Sequence, residues 1–198
     1  FFFCRVDFPL EIIIFEIMNL SCKGKVLIST PDASRDLFYR SVVLIVEHDQ
    51  NGALGYILNK KFSKQIRPIK IGNFFQFELQ CGGPVDVTKF SIIGKNPPVT
   101  NDFIPINNTH YLTADWDTVI QSISDGDTML FDYKIFYGHS SWAPMQLDYE
   151  IQNKLWIVID TNFDFTLQAD ERLWKEMMAG LGGEYLIWAN APDEISHN

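Results

Sequence analysis

The sequence predicts a single α+β domain, and three observations lead there. Strand and helix signals interleave irregularly, without the regular alternation of a doubly wound sheet. Two β-branched runs and an Asn-Gly turn announce antiparallel pairing near the start. The chain has 198 residues, 46% of them hydrophobic, with 16 Phe and 5 Trp. A chain of that length buries about 70% of its unfolded surface, so a core needs neither disulfide nor metal.

The first strand is Val26-Leu27-Ile28-Ser29-Thr30, closed by Pro31-Asp32. Ser41 to Glu47 is a continuous apolar run, as a strand buried on both faces requires. His48-Asp49-Gln50-Asn51-Gly52 follows, then Ala53 to Leu58. Residues 41–58 thus form an antiparallel hairpin turning at Asn51-Gly52, with Val43, Ile45 and Ile57 in the core. Further strands are predicted at Lys89–Ile93, Phe103–Ile106 and Thr128–Tyr137, with Leu155–Ile159 buried. Three helices follow from capping signals. Trp116–Ile123 starts after Asp115, and Asp170–Ala179 stops at Gly180 with Leu173, Trp174, Met177 and Met178 on its apolar face. Trp142–Asn153 starts after Ser141, with Pro144 in its first turn, a buried Trp142 ring, and Gln146 and Glu150 on the same face.

Charge divides the chain. Residues 1–100 carry 12 Lys/Arg and 9 Asp/Glu, net +3, whereas residues 101–198 carry 4 and 16, net −12. An acidic surface repels phosphate, which argues against direct nucleic-acid binding unless a local basic patch supplies the contacts. One stretch, Lys60, Lys61, Lys64, Arg67 and Lys70, has five cations and no acid; its simpler reading is a solvated loop. Three cysteines, Cys4, Cys22 and Cys81, match neither a disulfide framework nor a zinc site and point to a reducing, cytoplasmic setting. The apolar run Leu10–Ile17 carries Glu11 and Glu16 and is too short to span a bilayer; no signal-peptide pattern accompanies it, so no membrane association is expected. Met18 reads as the native start, with residues 1–17 an N-terminal extension and residues 18–198 the domain.

Few residues gather into a chemical constellation. Glu47 and His48 are adjacent on a strand, so their side chains point to opposite faces and cannot chelate one ion. His48 reads as a structural histidine or one bonded to its own turn through Asp49 or Asn51. His110, His139 and His197 lack metal-ligand spacing, and no metal or cofactor is expected. Gly138-His139-Ser140-Ser141 reads as a capping turn whose amides face a helix start, where an anion could sit. Gly82-Gly83-Pro84 lacks the lysine of a phosphate-binding loop and reads as a turn; Cys81 beside it is the most plausible functional thiol of the three, though its simpler reading is an inert small hydrophobe.

Gly24–Pro31, Arg40–His48 and Gly52–Asn59 together are similar to the opening signature of the AlgH/YqgE family. Gly82-Gly83-Pro84-Val85 resembles its central block, and Trp142 with Gln146-Leu147 and Glu150 resembles a later one. Leu173–Glu176, Leu181–Tyr185 and Ala189-Asn190 match its ending, so the likeness spans residues 24–192. Two places depart: Ser141 and Met145 stand where the family usually has glycines, and the histidine that usually follows the central block is absent from Phe90–Gly94. The resemblance implies a bifurcated, partly barrel-like mixed sheet surrounded by helices. It also implies the label of transcriptional regulator, which members carry by genetic association and without a known DNA-binding element.

The function expected from these readings is a non-enzymatic regulatory module that binds an unidentified protein partner or small ligand. The candidate cleft comprises His48, Asn59, Gly82, Gly83, Pro84, Gly138, Ser141 and Trp142. A direct DNA-binding regulator is the second expectation, and a hydrolase using His48 or His139 ranks last.

Overall fold

Residues 41–58 fold as the hairpin that their pattern predicts. The computed structural model describes residues 21–33, 37–61, 69–71, 75–98, 103–167 and 169–192, with backbone alone at 69–71 and 75–77. Strand β1 (Val26–Ser29) pairs antiparallel with β2 (Val42–Asp49), and β2 with β3 (Gly52–Ile57). Val43 opposes Ile57, and both are buried with Ile45. The loop is Gln50-Asn51, one residue ahead of the predicted Asn51-Gly52, because Gly52 already opposes Asp49. The register slips between Ile45 and Glu47, leaving Val46 as an extra residue.

The remaining elements are β4 (Ile69–Ile71), β5 (Phe75–Phe77), β6 (Leu79–Cys81), β7 (Val85–Lys95), β8 (Ile104–Pro105), β9 (His110–Thr113), α1 (Trp116–Asp125), a 3₁₀ turn (Leu130–Asp132), β10 (Tyr133–Trp142), α2 (Gln146–Gln152), β11 (Trp156–Ile159), α3 (Arg172–Leu181) and α4 (Tyr185–Ala189). The main sheet runs β11-β1-β2-β3-β10-β7-β9-β8, with β6 paired to β10 in parallel, so the fold is α+β with a mixed, curled sheet. Its fork lies at Gly82. The Ile57 amide donates to the Gly82 carbonyl at 3.0 Å, and the Gly82 amide donates to the Tyr137 carbonyl at 2.9 Å. β6 thereby enters between β3 and β10, which pair directly only from Ser140 to Trp142. A Cβ on Gly82 would lie 2.3 Å from the Gly138 carbonyl oxygen, so both strands can meet there only without side chains.

Three expectations need correction. The predicted strand 128–137 starts at Tyr133, after the 3₁₀ turn, and continues to Trp142. Consequently Ser141 is an exposed strand residue rather than a helix cap, and α2 starts only at Gln146, after Met145 in the left-handed region at φ 62°. The last long helix is shifted to Arg172–Leu181 and ends at Gly182. The expected extension, residues 1–17, lies outside the described residues, as do Cys4, Met18, Lys64, Arg67 and His197.

The sheet is covered on both faces. On one face Val42, Leu44 and Val46 pack with Phe136, Phe165, Leu173, Trp174 and Met178, so α3 lies over the hairpin and β10. On the other, Val43, Ile45 and Ile57 pack with Trp142, Leu147 and Trp156 beside α2. A third cluster, Ile92, Tyr111, Val119, Tyr133 and Ile135, seats α1 against β7, β9 and β10. Burial on both faces explains why the Ser41–Glu47 run does not alternate. Asp115 caps α1 by accepting from the Thr118 amide at 3.1 Å.

Candidate functional site

The segments of the predicted cleft are neighbours. Ala53 pairs with His48 on one side and Trp142 on the other, and Gly82-Gly83 lie against Gly138-His139. Their polar groups serve the fold. The Cys22 amide donates to His48 Nδ1 at 3.0 Å, leaving Nε2 facing the Asp148 carboxylate at 3.4 Å. Neither turn residue Asp49 nor Asn51 holds that ring. Buried Asn59 accepts from the Val42 amide at 2.9 Å and donates to the Arg40 carbonyl at 2.9 Å, clamping the strand entrances. Ser140 donates to the Gly82 carbonyl at 3.1 Å. Gly138-His139-Ser140-Ser141 lies within β10, kinked at Gly138 (φ 66°), so the helix start expected to hold an anion there does not form. Pro84 is exposed where the chain leaves the fork for β7.

Two cavities lie along α3. One cavity of about 420 Å³ is lined by Lys61, Phe163, Leu167, Asp170, Arg172 and Glu176, among others. A second, of about 280 Å³, is lined by Tyr39, Arg40, Lys60, Glu171, Arg172 and Lys175. Arg172 borders both, and its guanidinium pairs with Asp170 at 2.9 Å. Lys60 sits just past β3, where burial pushes its ammonium pKa down and Glu171 pulls it part of the way back. Its ammonium makes no hydrogen bond with a described residue. Burial likewise raises the Cys81 thiol, against opposing contributions from the Gly83 backbone and Lys60. Arg40 anchors the far wall: its guanidinium donates to the Ala191 and Pro192 carbonyls at 2.7 and 2.8 Å and lies over the Trp174 ring.

Two networks, one buried and one partly buried, brace this face. Lys134 is 1% exposed and donates to the carbonyls of Leu58 and Leu167, each at 2.9 Å. Burial brings its pKa down to about 8. Asp164 accepts from Lys95 and from Thr166, and lies 3.3 Å from His110 Nε2. Burial pushes its carboxyl up, but these bonds together hold it far below the usual carboxylate range. Burial also lowers His110, with Asp164 acting against it.

Of the groove's contributors, Lys60, Arg172 and Lys175, the sequence reads Lys60 only as part of a solvated loop. Arg172 and Lys175 at i and i+3 announce one helix face. Nothing local tells that Lys60 meets it. Among the described residues, no three His, Cys, Asp or Glu gather as metal ligands, and no helix is long and apolar enough to cross a membrane.

On the other face a cavity of about 140 Å³ is lined by Phe38, Trp142, Trp156, Leu155, Gln146 and Glu150, together with Ala33 and Ser141. Both indole N–H groups donate to Glu150 Oε2, Trp142 at 2.8 Å and Trp156 at 2.7 Å. Gln146 donates to the other oxygen at 2.9 Å and accepts from the Ala143 amide. Trp142, Gln146 and Glu150 therefore do converge, although Trp142 comes from β10.

The AlgH-like family model matches residues 26–186. A UPF0301 protein from Cytophaga hutchinsonii is 32% identical over 173 residues, covering 86% of this chain and 95% of that protein. One from Bacteroides fragilis is 32% identical over 192 residues, covering 93% and 97%. The solution structure of the AlgH protein from Pseudomonas aeruginosa superposes with a TM-score of 0.65 at 19% identity, over 89% of this chain and 97% of the other. A crystal structure of a protein from Corynebacterium diphtheriae gives 0.66 at 20% identity, over 87% and 94%. At these identities the two structures speak for the fold alone.

Proposed function

The chain belongs to the AlgH-like family, and we propose that it is a non-enzymatic regulatory module that binds an anionic small ligand or acidic protein segment in the groove along α3. The observation that carries this reading is the half-buried Lys60 ammonium, without a hydrogen-bond partner among the described residues, on the wall of a cavity that Arg172 shares with its neighbour. A cation held partly out of water gains from an anion that replaces its lost hydration. Phe163, Leu167 and Leu173 supply apolar surface beside the charges, and Asp170, Glu171 and Glu176 restrict which anions fit. A cytoplasmic setting accords with the free thiols of Cys22 and Cys81.

Thermal unfolding with citrate or pyrophosphate as probes, against sodium chloride at matched ionic strength, tests the reading. A ligand at 100 times its Kd stabilises by about 2.7 kcal/mol. Lys60→Gln should abolish most of the gain; no probe-specific stabilisation, or one that survives Lys60→Gln, overturns the groove as the binding site.

Direct DNA binding is the second reading, favoured by Lys60 and Lys61 at the head of the basic stretch. Lys64 and Arg67 lie outside the described residues, and Lys70 is in β4. No retarded duplex is expected in a low-salt mobility shift at micromolar protein. A retarded band that salt dissolves would put this reading first.

A further inference from the structure

We propose that the cavity bounded by Phe38, Trp142, Trp156 and Glu150 is a binding site for an alkylated ammonium group. This site lies across the sheet from the α3 groove and does not depend on it. Trp156 stands nearly perpendicular to both other rings, at 83° to Phe38 and 78° to Trp142, with centroids 5.7 and 6.1 Å away. Phe38 and Trp142 are tilted by 37° at 6.1 Å. Three rings therefore form walls of differing orientation around one small volume. Ring faces carry the negative end of the aromatic quadrupole and attract cations.

Glu150 adds two effects. Its carboxylate brings a negative charge to the cavity wall, and no Lys, Arg or His among the described residues pairs with it. By accepting both indole N–H groups on one oxygen it also pushes electron density into the two rings, which strengthens their hold on a cation. Ala33, Leu155 and the three rings offer no acceptor lone pairs, so a bare ammonium would exchange most of its water for little beyond Glu150, Gln146 and Ser141. Methyl groups remove that penalty by spreading the charge over an apolar surface. Size agrees: a cavity of about 150 Å³ holds benzene, and this one is about 140 Å³. The shared chemistry is a trimethylammonium head, borne by a small molecule or by a methylated lysine side chain.

The intrinsic fluorescence of the two lining tryptophans provides the readout. Choline, its neutral carbon isostere 3,3-dimethylbutanol, and a short peptide with or without trimethyl-lysine are titrated at constant ionic strength. The expected result is a saturable change with choline and at least about tenfold weaker binding of the isostere, the contribution of a desolvated cation–π contact. Glu150→Gln should weaken choline and leave the isostere unchanged. Phe38→Leu, which keeps apolar volume at a half-buried position but removes a ring face, should do the same if Glu150→Gln fails to fold. Equal binding of choline and isostere, or no saturable response to choline and the methylated peptide alike, overturns the proposal. Tighter binding of the methylated peptide than of choline assigns the head to a protein side chain; equal binding assigns it to a small molecule.

Discussion

Lys134 donates to the Leu58 carbonyl at 2.9 Å, joining β10 to the end of β3 on the side of the fork where the two strands have separated. The Leu167 carbonyl takes a second N–H, and no carboxylate of the described residues pairs with the ammonium. As a neutral amine Lys134 has two N–H donors for these two carbonyls; as an ammonium it has one more donor than they satisfy.

Stability should therefore carry a pH signature of Lys134. Its pKa falls from 10.5 to about 8 on folding, so between those values the unfolded chain binds more protons and the free energy of unfolding rises with pH. Cys22, Cys81, Tyr56 and Tyr111, all raised by burial, act in the opposite sense at alkaline pH. The difference between wild type and Lys134→Met isolates the lysine. It should move in favour of wild type by up to about 3 kcal/mol from pH 7 to 10.5, at 1.36 kcal/mol per pKa unit. Parallel denaturant curves at both pH values would show that Lys134 stays charged or titrates alike in both states.

Met145→Gly should stabilise the protein. Met145 holds φ 62° just before α2, is half exposed, and stands where the resemblance puts a glycine. A left-handed L-residue costs roughly 1–2 kcal/mol, and the added freedom of the unfolded chain returns about 0.4–1 kcal/mol of that. A net gain of about 0.5–1 kcal/mol in denaturant melts is expected; a loss would mean the Met145 side chain matters more than its backbone.

Gly82→Ala should open the fork. The new Cβ would fall 2.3 Å from the Gly138 oxygen and 2.8 Å from the Tyr56 ring, and the first neighbour is backbone. A loss of roughly 3 kcal/mol or more is expected. Gly180→Ala is the control: it meets nothing within 4 Å inside α3 and should gain about 0.5–1 kcal/mol. Equal melting of the two variants would refute the close approach.

Trp142→Ala should cost roughly 3–5 kcal/mol through lost burial and the cavity left behind. The ring is 6% exposed and its N–H is held by Glu150. A shift under about 1 kcal/mol in a denaturant melt would make Trp142 a contact residue rather than a core one.

Local order was legible in the sequence because its causes lie within a few residues. The hairpin over 41–58 follows from a short turn between two apolar runs, and α1 follows from Asp115 reaching the Thr118 amide three residues on. The family motifs carried the forked sheet. What the tertiary structure alone decided depends on partners far along the chain. Ser141 and Pro144 look like a helix start, yet residues 133–142 pair with β3, β6 and β7 at once, and those ladder bonds outweigh a capping preference worth about 1 kcal/mol. Gly82 reads as a turn residue until Gly138 is brought against it, 56 positions away. The α3 groove and the aromatic cavity arise in the same way. Lys60 meets Arg172, and Trp142 meets Trp156 through Glu150, only because strand pairing closes distances that sequence spacing does not encode.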